Sequence, residues 1–561
     1  MYGPWNPGIR SRMPSELQHL STIFRPENAF SDVAAVRELQ GLTGFSYSEL
    51  AAFRPQRLAL HELLIRVTAD FAVPDGSRIG DLGINFREIA SRLFERHLAP
   101  RMDEISAAFT QVRGNLRVAI ETTFSELAPA GGWDAEQVAE CERRAAMSAG
   151  PRDKSACGAL ARVMSALFAS HGRAWGTREL IVSMAADIAC NDYGSDCIGA
   201  TIEPMLQEAA RCEGYRLLPR QERPVVINTK GPSAAGKSTL RPLQKKLAGD
   251  VGVEWSDFAL ISPDIWRKQL LDYGSLGDAY KYAGAFTAEE LQIVDQKLDR
   301  YMAKKHRRGD MTHLLIDRFR FDSFAADSDE AGSNLLTRFG QTVYLFFMIT
   351  PPESLVERAW KRGLEFGRYK AVDDTLAHAV EAYTGIPDVF FTWVRRSDKR
   401  IQSEFLDNTV RLGERPRTVA FGDNDTFNIL DVTGALNIER YGRVNVNAAT
   451  PEFLYADRAL LAPEYNTRFL RRCIAGFRTV NFADQATGRI YLRIESGAPV
   501  WVDAALLQVA LADGDTLSAL QAVAPGALRG DVALAAAPQY LHGGGGTGSD
   551  ATLGQWGAGR G

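Results

Sequence analysis

The octapeptide Gly231-Pro-Ser-Ala-Ala-Gly236-Lys237-Ser238 constrains this chain most, because its spacing is G-x-x-x-x-G-K-[ST]. Such a loop works chemically only between a strand and a helix. Val225-Val-Ile-Asn228 reads as the strand, and residues 238–247 carry Leu240, Leu243 and Leu247 at helical spacing. In that setting the glycines let successive backbone N–H groups turn inward on phosphate oxygens, while the helix N-terminus adds partial positive charge. Gly231, Pro232, Ser233, Ala234, Ala235, Gly236, Lys237, Ser238 and Thr239 are therefore the expected phosphate contacts of a nucleotide. Lys237 is expected to reach the β- and γ-phosphates and Ser238 to offer a hydroxyl to Mg²⁺. A glycine-rich turn without chemical meaning is the alternative, and the flanking strand and helix weigh against it.

Downstream, short β-rich runs alternate with helical stretches, which predicts a mostly parallel sheet flanked by helices. Phe258-Ala-Leu-Ile-Ser262, His313-Leu-Leu-Ile-Asp317, Val343-Tyr-Leu-Phe-Phe-Met-Ile349 and Phe427-Asn-Ile-Leu-Asp-Val432 are the further expected strands. Asp264 follows the second of these, at the strand end where open α/β sheets bind ligands. Its carboxylate suits a general base, with Arg267 one turn on, or else a helix cap. Asp317, closing an apolar run, suits Mg²⁺. Arg358, Lys361, Arg362, Arg368 and Lys370, spaced by Gly363 and Gly367, suit either a lid over a transferring phosphate or a solvated helix face.

A chain of 561 residues exceeds one hydrophobic core, so several domains are expected. Residues 1–26 read as a flexible arm, 27–215 as an all-helical domain and 221–436 as the α/β nucleotide-binding domain. Residues 438–530 read as a small α+β domain with a hairpin around Gly497, and 541–561 as a disordered Gly-rich tail. Met102, Ile105, Phe109, Val112, Leu116, Ile120, Phe124 and Leu127 define one helix face, either core or a surface for a protein partner. Breaks are expected at Pro100, around 129–133 and around Gly150-Pro-Arg. The net charge of −4 disfavours long nucleic acid as a partner. Six cysteines without zinc spacing read as free thiols. No apolar run reaches membrane-spanning length and the N-terminus lacks a signal-peptide layout. The expected location is the cytoplasm, with signal-independent export into another cell left open.

The octapeptide, the Asp264-x-x-Arg267 pair, Tyr280-Lys281-Tyr282, the strand ending in Asp317 and Val356-Glu-Arg358-Ala-Trp-Lys361-Arg362-Gly363 together resemble the P-loop kinases of the zeta-toxin and polynucleotide-kinase type. The resemblance spans about residues 223–432, under half the chain. It implies an α/β P-loop kinase core, ATP or GTP as donor and Mg²⁺. By position it assigns Asp264 as general base, Arg267 to the acceptor side, and Arg358 or Arg362 with Arg368 to the donor phosphates. Pro232 and the Ala234-Ala235 pair depart from the glycine-richer loop common in the group. A phosphatase signature of the end-healing repair enzymes is not seen after the kinase segment. Acceptors in the group are a nucleotide sugar, the adenosine ribose of NAD, or 5′-hydroxyl ends of nucleic acid. The expected acceptor is a sugar hydroxyl of a nucleotide-like small molecule such as NAD or a UDP-sugar, with a toxin or effector role. A polynucleotide kinase is the second reading, using the basic run Arg395, Arg396, Lys399, Arg400, Arg411, Arg415 and Arg417. A nucleotide-dependent switch with a partner-binding helical domain is the third.

Overall fold

The computed structural model describes residues 2–76, 78, 80–127, 133–318, 335–529, 532–533, 537–541 and 552–557. Among these, ten strands form one mixed sheet in the order β10-β9-β8-β7-β6-β5-β4-β1-β3-β2. They are β1 (Val225–Lys230), β2 (Phe258–Ile261), β3 (His313–Ile316), β4 (Thr342–Ile349), β5 (Arg400–Asp407), β6 (Arg417–Gly422), β7 (Thr426–Ile429), β8 (Thr479–Ala483), β9 (Ile490–Glu495) and β10 (Ala498–Val502). Strands β5, β4, β1, β3 and β2 are all mutually parallel. Their C-terminal ends therefore lie along one edge, and the segments around Gly231, Asp264, Asp317, Pro351 and Asn408 all leave from it. Every residue of β1 is buried and β4 is buried from Val343 onward, as a strand covered on both faces requires.

Six helices position the site: α1 (Pro55–Asp70), α2 (Ser195–Glu213), α3 (Arg241–Asp250), α4 (Ala288–Arg307), α5 (Pro352–Phe366) and α6 (Val372–Val394). The region before the sheet is helical throughout its described part, and α1 is its centre. Leu58, Leu63, Leu64, Ile65 and Val67 are at most 1% exposed, each burial contributing roughly 1.5–3 kcal/mol. Helix α1 packs on both β2 and α4, so the helical region is the back wall of the sheet. A buried polar seam joins them. Glu290 of α4 accepts from Arg57 Nε at 2.5 Å and sits 2.7 Å from His61 Nε2. Lys297 donates to Ser195 Oγ at 2.8 Å, and Ser195 to Glu62 at 2.6 Å. Burial first, then the Lys297 charge, push His61 down to about 4, so it stays neutral in the seam.

Several expectations change. The expected arm over 1–26 is laid against the body: Ile23 and Phe24 are buried, and Ser21 and Thr22 donate to the Phe286 carbonyl. Strands β5 and β6 arise within and just beyond the basic run, where alternating charge hid them. The segment expected over 427–432 supplies β7, an interior strand of the sheet. Strands β8–β10, including the anticipated hairpin, continue the same sheet, so the division expected at 436–438 falls inside one continuous ladder. Near Pro100 the chain stays coiled through a wide π turn and a 3-10 turn before the helix Met102–Leu127. Gly150 precedes the helix Pro151–His171 as anticipated. The break at 129–133 falls, except for Trp133, outside the described residues. Residues 542–551 and 558–561 of the expected Gly-rich tail are outside them too. Residues 552–557 pack in place, with Leu553 buried and Trp556 stacked on Phe421 at 5.1 Å.

Candidate active site

Strand β1 ends at Lys230 and the chain turns through Gly231–Gly236 into a 3-10 turn, Lys237–Leu240, that leads into α3. The expected helix thus starts as a tighter turn and becomes α-helical at Arg241. Two glycines are required here. At Gly231, φ is 155° and a Cβ would lie 2.8 Å from Met348 Cβ; at Gly236, φ is 95° and a Cβ would lie 2.3 Å from Asn408 Nδ2. Ala234 also has positive φ, 67°, at a cost of roughly 1–2 kcal/mol for a residue with a Cβ. The Ala235 carbonyl holds the loop in place by accepting from Asn408 Nδ2 at 2.7 Å, Thr350 Oγ1 at 3.3 Å and Arg358 at 3.4 Å.

Lys237 lies inside this loop, its Nζ donating to the Gly231 and Pro232 carbonyls at 3.2 and 3.3 Å. Burial lowers its pKa, while Asp317 and then Asp264 support the charge. Both carboxylates thus lie near enough to act on the lysine's charge. Thr239 Oγ1 donates to the Gly236 carbonyl at 2.6 Å. Among the described residues the Ser238 hydroxyl takes part in no hydrogen bond, and the Asp317 carboxylate acts on Lys237 and Arg241 through its charge alone.

Asp264 sits in the turn Pro263–Trp266, where no side chain caps the N-terminus. Instead its carboxylate meets Arg267 Nε at 2.9 Å and Arg368 at 2.8 Å. Desolvation beside its neighbours opposes ionisation even though about half of the side chain (52%) stays open to solvent, but Arg368 first, then Arg267, and finally Arg362 hold the carboxyl well below its usual range. Arg267 is itself fixed by the Gly284 carbonyl and Thr287 Oγ1, each at 2.8 Å. Trp266, fully buried, donates to Thr68 of α1 at 3.1 Å, so the helical back wall sets where Asp264 stands.

The opposite wall comes from α5 and the segment joining it to α6. Arg362 reaches Ser233 Oγ at 3.4 Å, and burial, then Arg368, push its guanidinium down to about 10. Arg358 donates to the Asn408 carbonyl at 2.6 Å. It braces the loop from behind, whereas the sequence pattern suggested a phosphate contact. Lys370 is paired with His378 and lies 3.6 Å from Asp374. Burial pushes Lys370 down to about 8. Tyr369 packs against Gly363, with Trp360 at 5.8 Å and Tyr280 at 5.9 Å, while Lys281 lies 5.2 Å over its ring.

The crevice therefore gathers the loop 231–239, Asp264, Arg267, Asp317, Arg362 and Arg368. Arg318 is not part of it, being buried in ion pairs with Asp295 and Asp299 of α4. Phe319, Arg320 and Phe321 lie outside the described residues. Sequence reasoning missed Asn408 and Thr350. Both sit just past parallel strands, at the same edge as the loop, and strand assignment of 400–407 would have exposed the first.

For Mg²⁺ the donor set is one hydroxyl, Ser238, and one carboxylate, Asp317. That set fits a cation that keeps its waters and shares substrate phosphate oxygens rather than sitting in an all-protein cage. Among the described residues no cluster of three or more His, Cys, Asp or Glu side chains offers such a cage, and no helix is long and apolar enough to cross a membrane.

No family model matches the chain, and no curated protein matches it. Among solved structures, a chain from the PezAT chromosomal toxin-antitoxin system of the human pathogen Streptococcus pneumoniae matches 37% of this chain and 75% of its own length, at 15% identity and a TM-score of 0.23.

Proposed function

We propose that the protein is a P-loop kinase that transfers the terminal phosphate of ATP or GTP to a sugar hydroxyl of a nucleotide-like small molecule. The observation that carries this is the grouping of charges around Lys237, whose ammonium Asp317 and Asp264 support, while Arg368 pairs with Asp264 at 2.8 Å and Arg362 acts on the same carboxylate. Phosphoryl transfer needs positioned cations around the moving group and a base at the attacking oxygen, and little covalent chemistry from the protein. Lys237 binds the β- and γ-phosphates, and the loop N–H groups orient them. Mg²⁺, when bound, would neutralise phosphate charge, held by Ser238 and Asp317. Asp264 takes the proton of the acceptor hydroxyl as its oxygen bonds to the γ-phosphorus and the bond to the nucleoside diphosphate breaks.

Asp264 is tied to two arginines, a poor arrangement for a base. A donor phosphate competes for Arg368, and losing that partner raises the basicity of Asp264 when both substrates are present. Arg362 and Arg368 then stabilise charge on the transferring group, while Arg358 keeps the loop in shape. Lys370 adds a cation whose protonation matters near neutral pH. Its folded-state pKa of about 8 lies below the usual 10.5, so carrying the charge weakens the fold below pH 8. That cost is relieved as pH rises from about 8 to 10.5. For catalysis the sign is reversed: kcat is expected to fall as pH rises through about 8. Lys370→Arg, which stays charged, is expected to move that limb upward. A kcat–pH profile of both proteins checks this.

Part of the track that the polynucleotide reading needs is engaged elsewhere. Arg396 pairs with Asp398, Lys399 donates to the Arg338 and Gly340 carbonyls, and Arg417 pairs with Asp407. Arg415 is spent on the carbonyls of Thr552 and Leu553. Incubation with labelled ATP is expected to mark NAD or UDP-N-acetylglucosamine and to leave a 5′-hydroxyl oligonucleotide nearly unmarked at matched salt. Labelling of the oligonucleotide with none on either metabolite would reverse that order.

A further inference from the structure

One residue beyond Asn408, whose side chain holds the Ala235 carbonyl of the loop 231–239, begins an open pocket of about 560 Å³ that the reading above leaves without an occupant. Its walls are Thr409, Arg411, Glu414, Arg415, Arg417 and, from the far end of the chain, Gln555. Asn408 joins the two sites: its side chain holds the Ala235 carbonyl, and the next residue, Thr409, opens the pocket. The volume falls within the range of small-molecule sites.

The C-terminal segment that supplies Gln555 is firmly seated. Buried Glu404 of β5 accepts from the Leu553 and Gly554 N–H groups at 2.6 and 2.9 Å and from Thr418 Oγ1 at 2.7 Å. Arg415 donates to the Leu553 carbonyl at 2.5 Å. The Gln555 backbone pairs with β6, donating to the Pro416 carbonyl at 2.7 Å and accepting from Thr418 at 3.2 Å. Trp556 stacks on Phe421. With its backbone so fixed, Gln555 presents an exposed amide to the pocket, and that amide makes no hydrogen bond to any described residue. Arg411 likewise lends its guanidinium to no described side chain or carbonyl. A carboxamide reads the hydrogen-bonding edge of a base, and guanidinium planes stack on its face.

We propose that the C-terminal segment is a wall of the donor site, with Gln555 contacting the base of the nucleoside triphosphate whose phosphates lie on the loop 231–239. This rests on the kinase reading and adds that the end of the chain decides which nucleotide is used. Residues more than three hundred positions apart in sequence thus act on one ligand.

The test is calorimetric binding of MgATP, MgGTP and Mg-tripolyphosphate to the full chain and to Gln555→Ala and Gln555→Glu, both at an exposed position. Loss of a base contact is expected to weaken MgATP or MgGTP at least about fivefold in Gln555→Ala. Gln555→Glu is expected to change the ATP-to-GTP preference, because a carboxylate accepts but cannot donate. Tripolyphosphate, which has no base, is expected to bind all three proteins alike. Unchanged nucleotide affinity in both variants overturns the role of Gln555 and leaves the kinase reading standing. An equal loss for tripolyphosphate also overturns it, since the segment would then act only by distorting the loop. A wild-type chain that binds none of the three probes removes the kinase reading and this proposal with it.

Discussion

Lys237→Ala is expected to lower phosphate transfer by roughly a thousandfold, the scale of removing a cation that stabilises a transferring phosphoryl group. The change should leave the fold intact. Among the described residues Lys237 contributes two hydrogen bonds, to carbonyls of its own loop at 3.2 and 3.3 Å, and water can replace both once the side chain is gone. Its ammonium is also held at a cost, since burial lowers its pKa. Removing it relieves that desolvation, while Asp317 and Asp264 lose a counter-charge. Circular dichroism and thermal melting should therefore resemble wild type while turnover disappears. Wild-type turnover in a folded Lys237→Ala protein would contradict the assignment of the loop.

Asp264→Asn is expected to lower kcat by roughly a hundredfold or more, because an amide keeps the shape of the carboxylate and cannot take a proton. The side chain is 52% exposed, so its ion pairs with Arg267 and Arg368 contribute little to stability, at most about 1 kcal/mol each after solvent screening. The variant should fold. A base and an anchor for Arg368 predict different kinetics. Loss of the base lowers kcat and leaves donor affinity unchanged or improved, since Arg368 is released to bind phosphate. If Asp264 only positions Arg368, donor KM rises and kcat changes little. Measuring both constants for donor and acceptor separates the two roles.

The loop between β1 and α3 was legible because its residues are local: Gly231, Gly236 and Lys237 lie between a strand and a helix that the apolar pattern marks. The positions of Asp264 and Asp317 were legible for a related reason, each standing just past an apolar strand. Their partners were not. Arg368 meets Asp264 across 104 positions, a separation that follows directly from the two residue numbers, and no local pattern encodes that meeting. Arg358 lies on a helix face whose spacing suits phosphate binding equally well. Its engagement with the Ala235 and Asn408 carbonyls depends on β5 running beside β4, and the alternating charges of 395–417 concealed β5. The packing of 552–557 was hidden similarly. Glycine-rich neighbours suggest an unstructured end, but Glu404, buried in a strand 149 positions away, needs N–H donors, and Leu553 and Gly554 supply two of them. Buried polar groups of this kind demand partners wherever in the chain they can be found.

The central claim is that the phosphate goes to an acceptor hydroxyl. Its most direct test is the rate of ADP formation from MgATP with and without candidate acceptors, together with the mass of the product. A kinase is expected to form ADP slowly alone and much faster with NAD or UDP-N-acetylglucosamine, one phosphorylated acceptor appearing per ADP. Slow hydrolysis that no small molecule or nucleic-acid end accelerates, with every phosphate released to water, would contradict the account and favour a nucleotide-dependent switch.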